Sequence, residues 1–238
     1  MNKENLYRCH YLHAITHDIM LFKLIPLYDQ QINYTPGQFV EAIFDNGKVL
    51  PMSIANIPNS DGELEFHLRH NKEHKLAQDF LASLKKNNTV YLRGPFGASV
   101  LSKAVNASKL LFVAGGTGIT PIKALLEDAL LIQKEQKPME LYWGIRHAQD
   151  AYQEALLMSW QQQFPFFSFE LVLSDPQSYP TWRGPVGMVH EYVAKKYPHF
   201  HDETLFVSGP FAMVKAASTL FSGQGLKTEQ FICDMKLD

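Results

Sequence analysis

The amino-acid sequence predicts two domains, an N-terminal antiparallel β-barrel followed by a C-terminal α/β domain built on a parallel sheet. Three observations predict this fold class. Apolar and polar residues alternate with period two in the first hundred residues, strand-like and helix-like segments alternate after residue 105, and a glycine-rich loop lies between the first such strand and helix. A chain of 238 residues has room for two ordinary domains. We assign residues 1–100 to the first domain and residues 105–238 to the second.

The first domain is predicted from short amphipathic strands. Apolar and polar side chains alternate along residues 39–44 and, more regularly, along residues 64–69, which is typical of strands buried on one face. Turn sequences with proline or glycine occur at 35–37 and 60–62. Several short strands with regular turns indicate a small antiparallel barrel. One helix is predicted within this half, at 75–84.

The second domain is predicted from longer apolar runs. Residues 110–114 form a continuous apolar strand, as expected where both faces of a sheet are covered. From Ile122 to Leu130 the apolar residues recur with helical spacing. Further strands are predicted at 141–143, 171–173, 205–207 and 230–233, and further helices at 153–162, 186–196 and 211–221. This alternation indicates a parallel, Rossmann-like sheet with helices on both faces, joined to the barrel by a boundary between Gly94 and Ser108.

Composition and charge argue against several classes of protein. The formal net charge is −2 and no basic block occurs, so no nucleic-acid partner is expected. Cys9 and Cys233 are too few for a four-cysteine iron–sulfur or zinc site. His199 and His201 lack a third ligand at suitable spacing, so no metal site is predicted. No apolar run reaches the roughly 20 residues of a membrane span, and no signal core follows the N-terminus. A cytoplasmic protein is therefore expected.

A glycine-rich loop connects the first strand and helix of the second domain. It consists of Gly115, Gly116, Thr117, Gly118, Ile119, Thr120 and Pro121. Glycines allow a ligand to approach the backbone, and the helix behind them offers free N–H groups and the positive end of its dipole. The loop is predicted to bind the pyrophosphate of a dinucleotide, although a tight turn without a ligand has the same composition. It departs from the Gly-x-Gly-x-x-Gly pattern, so an ordinary dehydrogenase is not implied.

Several motifs occur together in an order that extends over nearly the whole chain. They are Pro51-Met52-Ser53, Gly94-Pro95-Phe96-Gly97, the glycine-rich loop, Tyr142-Trp143-Gly144-Ile145-Arg146, Trp182-Arg183-Gly184-Pro185-Val186-Gly187 and Ser208-Gly209-Pro210-Phe211-Ala212-Met213. In this combination the chain resembles the ferredoxin–NADP reductase superfamily, and within it the short NAD(P)H:flavin oxidoreductases. The resemblance implies a flavin held between the barrel and a domain that binds a nicotinamide dinucleotide.

The resemblance assigns the flavin to one strand of the barrel. The residues that would line the isoalloxazine ring are Pro51, Met52, Ser53 and Ile54. The Ser53 hydroxyl would lie near flavin N5 and is the single candidate catalytic group. His67 and Leu68 would lie beside the ring or its side chain. Apart from the resemblance, Ser53 is an ordinary strand hydroxyl and His67 an ordinary strand histidine, and both interpretations stay open.

The resemblance places the dinucleotide, NADH or NADPH, on the second domain. The residues that would surround its pyrophosphate are Gly115, Gly116, Thr117, Gly118, Thr120 and Pro121. Arg146 and Arg183 would reach a phosphate or ribose, although each is equally well interpreted as a solvated loop arginine. Ser208, Gly209 and Pro210 would approach the nicotinamide at the end of a strand.

Two departures from the family pattern concern the flavin phosphate. Many relatives carry an arginine three positions before the barrel serine, where this chain has Leu50. The stretch after the His67 strand lacks the usual glycine, and Arg69, His70 or Lys72 would have to supply positive charge there. Weak retention of FAD or FMN is therefore expected, as in an enzyme that binds flavin as a dissociable substrate.

The sequence thus predicts an enzyme, an NAD(P)H-dependent flavin reductase, that transfers a hydride from nicotinamide C4 to flavin N5. One alternative is a flavoprotein reductase with bound FAD or FMN that passes electrons to a protein partner, such as an oxygenase or an iron–sulfur protein. A second alternative is a non-catalytic nucleotide-binding subunit. The choices between NADH and NADPH, and among FAD, FMN and riboflavin, stay open.

Overall fold

The computed structural model describes residues 4–28, 31–45 and 47–237. The first half forms a six-stranded antiparallel sheet from β1 (Glu4–Ala14), β2 (Ile19–Pro26), β3 (Phe39–Phe44), β4 (Lys48–Ser53), β5 (Leu64–Arg69) and β6 (Thr89–Phe96). The strands are arranged in the order β4-β3-β6-β1-β2-β5. Helix α1 (Lys75–Asn87) lies between β5 and β6 in the chain, and it begins where the sequence predicts.

The two end strands of this sheet, β4 and β5, come together so that the sheet curls into a barrel. The backbone N–H of Ala55, just after β4, donates to the carbonyl of Glu65 in β5 over 2.8 Å. Inside the barrel the ring centroid of Phe22 lies 5.2 Å from that of Phe66 and 5.6 Å from that of Phe80 on α1. All three rings are fully or almost fully buried. The predicted antiparallel barrel with one helix is confirmed.

The second half forms a five-stranded parallel sheet in the order β11-β10-β7-β8-β9. Its strands are β7 (Lys109–Gly115), β8 (Met139–Ile145), β9 (Phe167–Leu173), β10 (Glu203–Ser208) and β11 (Phe231–Ile232). Its helices are α2 (Ile119–Glu127), α3 (Glu154–Gln163), α4 (Val189–Lys196) and α5 (Phe211–Gly223). In the part of the chain that the structure describes, no helix has both the length and the apolar character needed to cross a membrane.

The central strand β7 is buried on both faces, as its apolar run predicts. Phe112 faces one hydrophobic core and Val113 the other, because successive side chains of a strand point to opposite faces. Helix α4 begins at Val189, later than the predicted start at 186. The reason is that Val186 forms a parallel bridge with Leu173, so this segment extends the edge of the sheet before the helix starts.

The connection between the two sheets is held by the end of the chain. Residues 94–96 complete β6, so the connection starts at Gly97. The Asp234 carboxylate, just after β11, accepts hydrogen bonds from the backbone N–H groups of Ala98 at 2.8 Å and Ser99 at 3.0 Å. Gly97 has φ +98°, and a Cβ there would lie 3.0 Å from the same carboxylate. The chain end and the interdomain connection therefore form one packed unit.

Candidate cofactor-binding site

Three cavities lie side by side along the seam between the barrel and the parallel sheet. The barrel cavity, about 200 Å³, lies between Ser53 of β4 and His67 of β5. The junction cavity, about 470 Å³, lies between Ser53 and Ser208 at the end of β10. The nucleotide cleft, about 490 Å³, lies between the glycine-rich loop and Arg146. Arg69 lines all three cavities, so it marks the point where they meet.

Strand β4 supplies the barrel wall of the cavity. Pro51, Met52 and Ser53 line it, as predicted from the family resemblance. The Ser53 position is fixed because β4 pairs with β3, with Ser53 opposite Phe39. Ile54 differs from the prediction, since its side chain is fully buried in the barrel core. The alternation of the chain explains this difference: the backbone that turns Ser53 towards the cavity turns the next side chain inward.

His67 lines the barrel cavity beside Leu68, but its ring is engaged within the protein. Its side chain is fully buried, with Nε2 3.0 Å from a Glu65 oxygen and Nδ1 3.2 Å from the Tyr152 hydroxyl. Burial lowers the pKa of His67, although the neighbouring Glu65 acts in the opposite direction. A neutral ring that donates to Glu65 and accepts from Tyr152 satisfies both contacts. His67 therefore joins the barrel to the second domain.

Lys123 of α2 is the cation at the centre of the part of the seam that side chains fill, next to His67. Its ammonium group lies 2.7 Å from Glu127, 3.3 Å from Glu65 and 2.9 Å from the carbonyl oxygen of Ala55. Burial acts to raise the pKa of Glu65, but the hydrogen bond from His67 and the charge of Lys123 outweigh it and lower the pKa to about 2. Burial raises the pKa of Glu127 despite the same lysine. The barrel and α2 thus share a buried ionic network.

The glycine-rich loop has little room for side chains. A Cβ on Gly118 would lie 2.1 Å from the carbonyl oxygen of Ser208, so only glycine lets β10 come this close. Gly116 has φ +54°, and a Cβ there would lie 3.5 Å from Arg69 Nη2, so this face of the loop lies beside the guanidinium group. The indole N–H of Trp143, in the core, donates to the Gly116 carbonyl over 2.8 Å and holds the loop on its buried side. The loop is therefore held by Trp143 on its buried side and faces Arg69 on the cavity side.

The remaining loop residues divide between two cavities. Thr117 lines both the barrel and junction cavities, and the buried Thr120 lines the barrel cavity. Pro121 lies in the first turn of α2, as its missing N–H predicts, and faces a small pocket beside Ser53. Gly115 lines both the junction cavity and the nucleotide cleft.

The nucleotide cleft contains one of the two predicted arginines. Arg146 follows β8 and lines the cleft together with Ser174, which follows β9. Arg183 is exposed and does not line any of the three cavities, and its guanidinium group contacts the carbonyl of Trp182 at 3.3 Å. The structure therefore supports the solvated-loop interpretation of Arg183. Ser208, Gly209 and Pro210 line the junction cavity, where the end of β10 meets the loop.

The residues around the expected flavin-phosphate position carry little free positive charge. Leu50 is buried in the barrel core, so it neither binds an anion nor leaves space for one. Lys72 is exposed and lines none of the three cavities. Arg69 does line them, but its Nε lies 3.4 Å from the buried carboxylate of Asp18. His74, at the start of α1, lines the barrel and junction cavities.

Several residues of the site were not found from the sequence. Trp143 supports the glycine-rich loop, Met235 lines the junction cavity, and His190 lines the nucleotide cleft. Trp143 lies inside a predicted strand, His190 lies inside a predicted helix, and Met235 follows the last predicted strand without a recognisable motif. The tryptophan was visible as part of a motif, but its hydrogen bond to a residue 27 positions away has no sequence signature.

Comparison with known proteins assigns the two halves separately. The family model described as an oxidoreductase FAD-binding domain matches residues 9–100. The model described as an oxidoreductase NAD-binding domain matches residues 112–219. These matches fall on the barrel and on the parallel sheet, respectively.

Individual relatives extend over nearly the whole chain. A probable flavin reductase from Aliivibrio fischeri is 29% identical over 218 residues, which cover 90% of each chain. The xylene/toluene monooxygenase electron transfer component XylA from Pseudomonas putida is 32% identical over 92% of this chain and 62% of its own length. Other curated relatives are likewise longer, and the chain spans 65% of the Yersinia pestis CDP-6-deoxy-L-threo-D-glycero-4-hexulose-3-dehydrase reductase.

The fold agrees with these matches. A ferredoxin NADP+ reductase from Neisseria gonorrhoeae with bound FAD and NADP superimposes with a TM-score of 0.80 at 15% identity, covering 96% of this chain and 94% of that one. The chain therefore combines an oxidoreductase FAD-binding domain with an oxidoreductase NAD-binding domain, in the fold of a ferredoxin NADP+ reductase.

Proposed function

We propose that this protein is an NAD(P)H:flavin oxidoreductase that binds flavin as a dissociable substrate and releases it in reduced form. The observation that carries the proposal is the junction cavity, where Ser53 of the barrel faces Gly115 and Ser208 of the second domain. A site shared by the two domains allows one domain to hold the hydride donor and the other the acceptor. When bound, the nicotinamide supplies the hydride at C4 and the flavin accepts it at N5.

The protein's own part in this reaction is orientation. The positive end of the α2 dipole and the Arg69 guanidinium group, which lies beside Gly116, suit a pyrophosphate. The Ser53 hydroxyl lines the junction cavity, and its proposed role is to orient the acceptor ring. Pro210 and Met235 contribute apolar side chains to the wall of the junction cavity. Holding two reactants in contact is worth up to roughly 7–11 kcal/mol, so no general acid or base is required of the side chains.

Release of the flavin is supported by the weak charge around its phosphate position. Leu50 lies in the barrel core, and the guanidinium group of Arg69, which lines the barrel cavity, has its Nε 3.4 Å from the Asp18 carboxylate. A bidentate arginine fork would hold a phosphate more strongly than these groups. The likeness to a probable flavin reductase over 90% of both chains supports the same assignment.

The second candidate is a reductase that retains FAD and passes electrons to a protein partner. It is supported by the likeness to the electron transfer component of a monooxygenase, of which this chain spans 62%. The two candidates differ in one measurable property, which is whether flavin stays bound during purification.

The test is oxidation of NADH and NADPH at 340 nm by the purified protein, with and without added riboflavin, FMN or FAD. Turnover that requires added flavin and follows saturation kinetics in flavin supports the proposed enzyme. A yellow protein that turns over only with an added protein acceptor supports the second candidate. A colourless, folded protein that binds NADH but does not oxidise it, whichever flavin is added, would contradict both candidates. The remaining interpretation would then be a nucleotide-binding subunit.

We further propose a cytoplasmic location, supported by Cys9 and Cys233, which are both free thiols. Fractionation of the cells that produce the protein, followed by immunoblotting, tests this proposal.

A further inference from the structure

Three side chains from the two domains form a cluster with the composition of a metal site. His17 and Asp18 lie in the turn between β1 and β2, and Asp150 lies in the turn that follows β8. One potential ligand atom from each residue lies within 4.8 Å of the other two. His17 Nε2 is 3.9 Å from Asp18 Oδ1. The cluster therefore draws its donors from both sides of the interdomain seam.

Asp150 provides a second, independent observation. Asp150 is buried, with only 3% of its surface exposed. Oδ2 accepts a hydrogen bond from the backbone N–H of His147 at 3.0 Å, but the buried Oδ1 has no hydrogen-bond partner among the described residues. A buried carboxylate oxygen without a partner is unfavourable, and a bound cation is one of the groups that satisfies it.

The charges around the cluster leave room for a cation. Asp18 is 5% exposed, and its Oδ1 accepts from the Thr16 hydroxyl at 3.2 Å while its Oδ2 lies 3.4 Å from Arg69 Nε. Two carboxylates and one guanidinium group give the cluster one formal negative charge when His17 is neutral. The exposed His17 ring leaves one side open to water, which can complete the coordination of an ion.

We propose that His17, Asp18 and Asp150 bind a divalent first-row transition-metal ion, with Zn²⁺ as the test ion. An imidazole nitrogen with two carboxylate oxygens suits Zn²⁺ and its neighbours, whereas Mg²⁺ and Ca²⁺ prefer oxygen ligands alone. The ion joins the turn after β1 to the turn after β8, so its role is to fix the two domains in place. Spacing along the chain gave no sign of such a site, because the ligands come together only through the fold.

The test uses the full-length protein after dialysis against EDTA and then into chelator-free buffer. Isothermal titration with Zn²⁺ is expected to give one saturable site, and Co²⁺ is expected to give visible absorption bands of nitrogen and oxygen ligands without a thiolate band. Asp150→Asn and His17→Gln are expected to weaken Zn²⁺ binding by roughly tenfold or more, since each loses a direct ligand. Zn²⁺ should raise the melting temperature of the native chain by more than it raises that of His17→Gln.

Matched controls come from exposed residues outside the cluster, His199→Gln and Asp202→Asn, which should bind Zn²⁺ as the native chain does. His17 is exposed, so its variant tests the proposal even if Asp150→Asn does not fold. The proposal is overturned if no saturable site is found, if His17→Gln binds Zn²⁺ unchanged, or if Mg²⁺ binds as tightly as Zn²⁺.

Discussion

The seam between the two domains has a closed part and an open part, built in opposite ways. The closed part is filled by ionised and hydrogen-bonding side chains, with Lys123 between Glu65 and Glu127. The open part is lined by glycine backbone and hydroxyl groups around the junction cavity. Buried charges with matched partners allow few alternative arrangements, whereas glycine leaves space. The comparison indicates that the closed part sets the relative orientation of the domains, and that the open part depends on this orientation to form the junction cavity.

The largest expected effect comes from breaking the closed part. Lys123→Met leaves two buried carboxylates without their cation, and removing one partner of a buried ion pair costs about 3–5 kcal/mol. We expect a loss of unfolding free energy of about 3 kcal/mol, at the low end, because Lys23 stays 3.4 Å from Glu65. Urea denaturation followed by circular dichroism measures this loss. Lys48→Met removes one of the two lysine partners of the more exposed Asp79 and should cost much less. Equal losses in the two variants would refute the distinction.

The next effect comes from filling the open part. In Gly118→Ala the added Cβ would lie 2.1 Å from the Ser208 carbonyl oxygen, so the loop or the end of β10 must move. A displacement of this size at a site that orients two reactants is expected to lower kcat/KM by about 100-fold. Gly223→Ala, at the end of α5, meets no atom within 4 Å and should leave turnover unchanged. A similar loss of turnover in both variants would show that the close approach at Gly118 does not matter.

A smaller effect is expected from the support beneath the loop. Trp143→Phe removes the hydrogen bond to the Gly116 carbonyl but keeps a large aromatic ring in the core. A neutral hydrogen bond contributes about 1 kcal/mol, which corresponds to a rise of about fivefold in the KM for the nicotinamide dinucleotide. Trp182→Phe loses a comparable hydrogen bond, to the Pro185 carbonyl, away from the cavities. Its KM should stay at the native value, and an equal rise would argue against a local effect.

The smallest effect concerns pH and the closed part. The pKa of His67 is lowered below the usual value of 6.5, so unfolding takes up a proton and stability falls as the pH drops through 6.5 and below. Glu127, with its raised pKa, acts in the opposite sense. Thermal unfolding from pH 8 to pH 5.5 should therefore show a smaller decrease in melting temperature for His67→Gln than for the native chain. Parallel curves for the two proteins would mean that His67 does not titrate differently in the two states.

Much of the fold follows directly from sequence periodicity. The strands of the parallel sheet were predicted individually because both faces are buried and their apolar runs are continuous. Strand β1 was not identified, and its pairing with β2 explains why: the register shifts between Cys9 and Tyr11, which interrupts the period-two pattern. Residues 94–96 were predicted to lie in the boundary between the domains, but they complete β6, which pairs with β3.

The parts of the candidate site that depend on local backbone conformation could be predicted from the sequence. The parts that depend on contacts between residues far apart in the chain could not. The glycine-rich loop has a composition that follows from its position between strand and helix. Arg183 had no such constraint, and the fold leaves it on the surface. The contact between His67 and Tyr152 joins residues 85 positions apart, and no local pattern encodes it. Family resemblance placed His67 near the cofactor, but the geometry also gives it an interdomain role.

The bonds from Asp234 to the amides of Ala98 and Ser99 bear on how new reductases are made by recombination. A chimera that joins the barrel of one parent to the second domain of another has its crossover in this connection. Asp234, which holds this connection in place, comes from the parent that supplies the second domain. If the two parents differ at either end of this contact, the chimera loses the hydrogen bonds that hold its interdomain connection. The crossover is therefore best placed so that residues 97–99 and residue 234 come from the same parent.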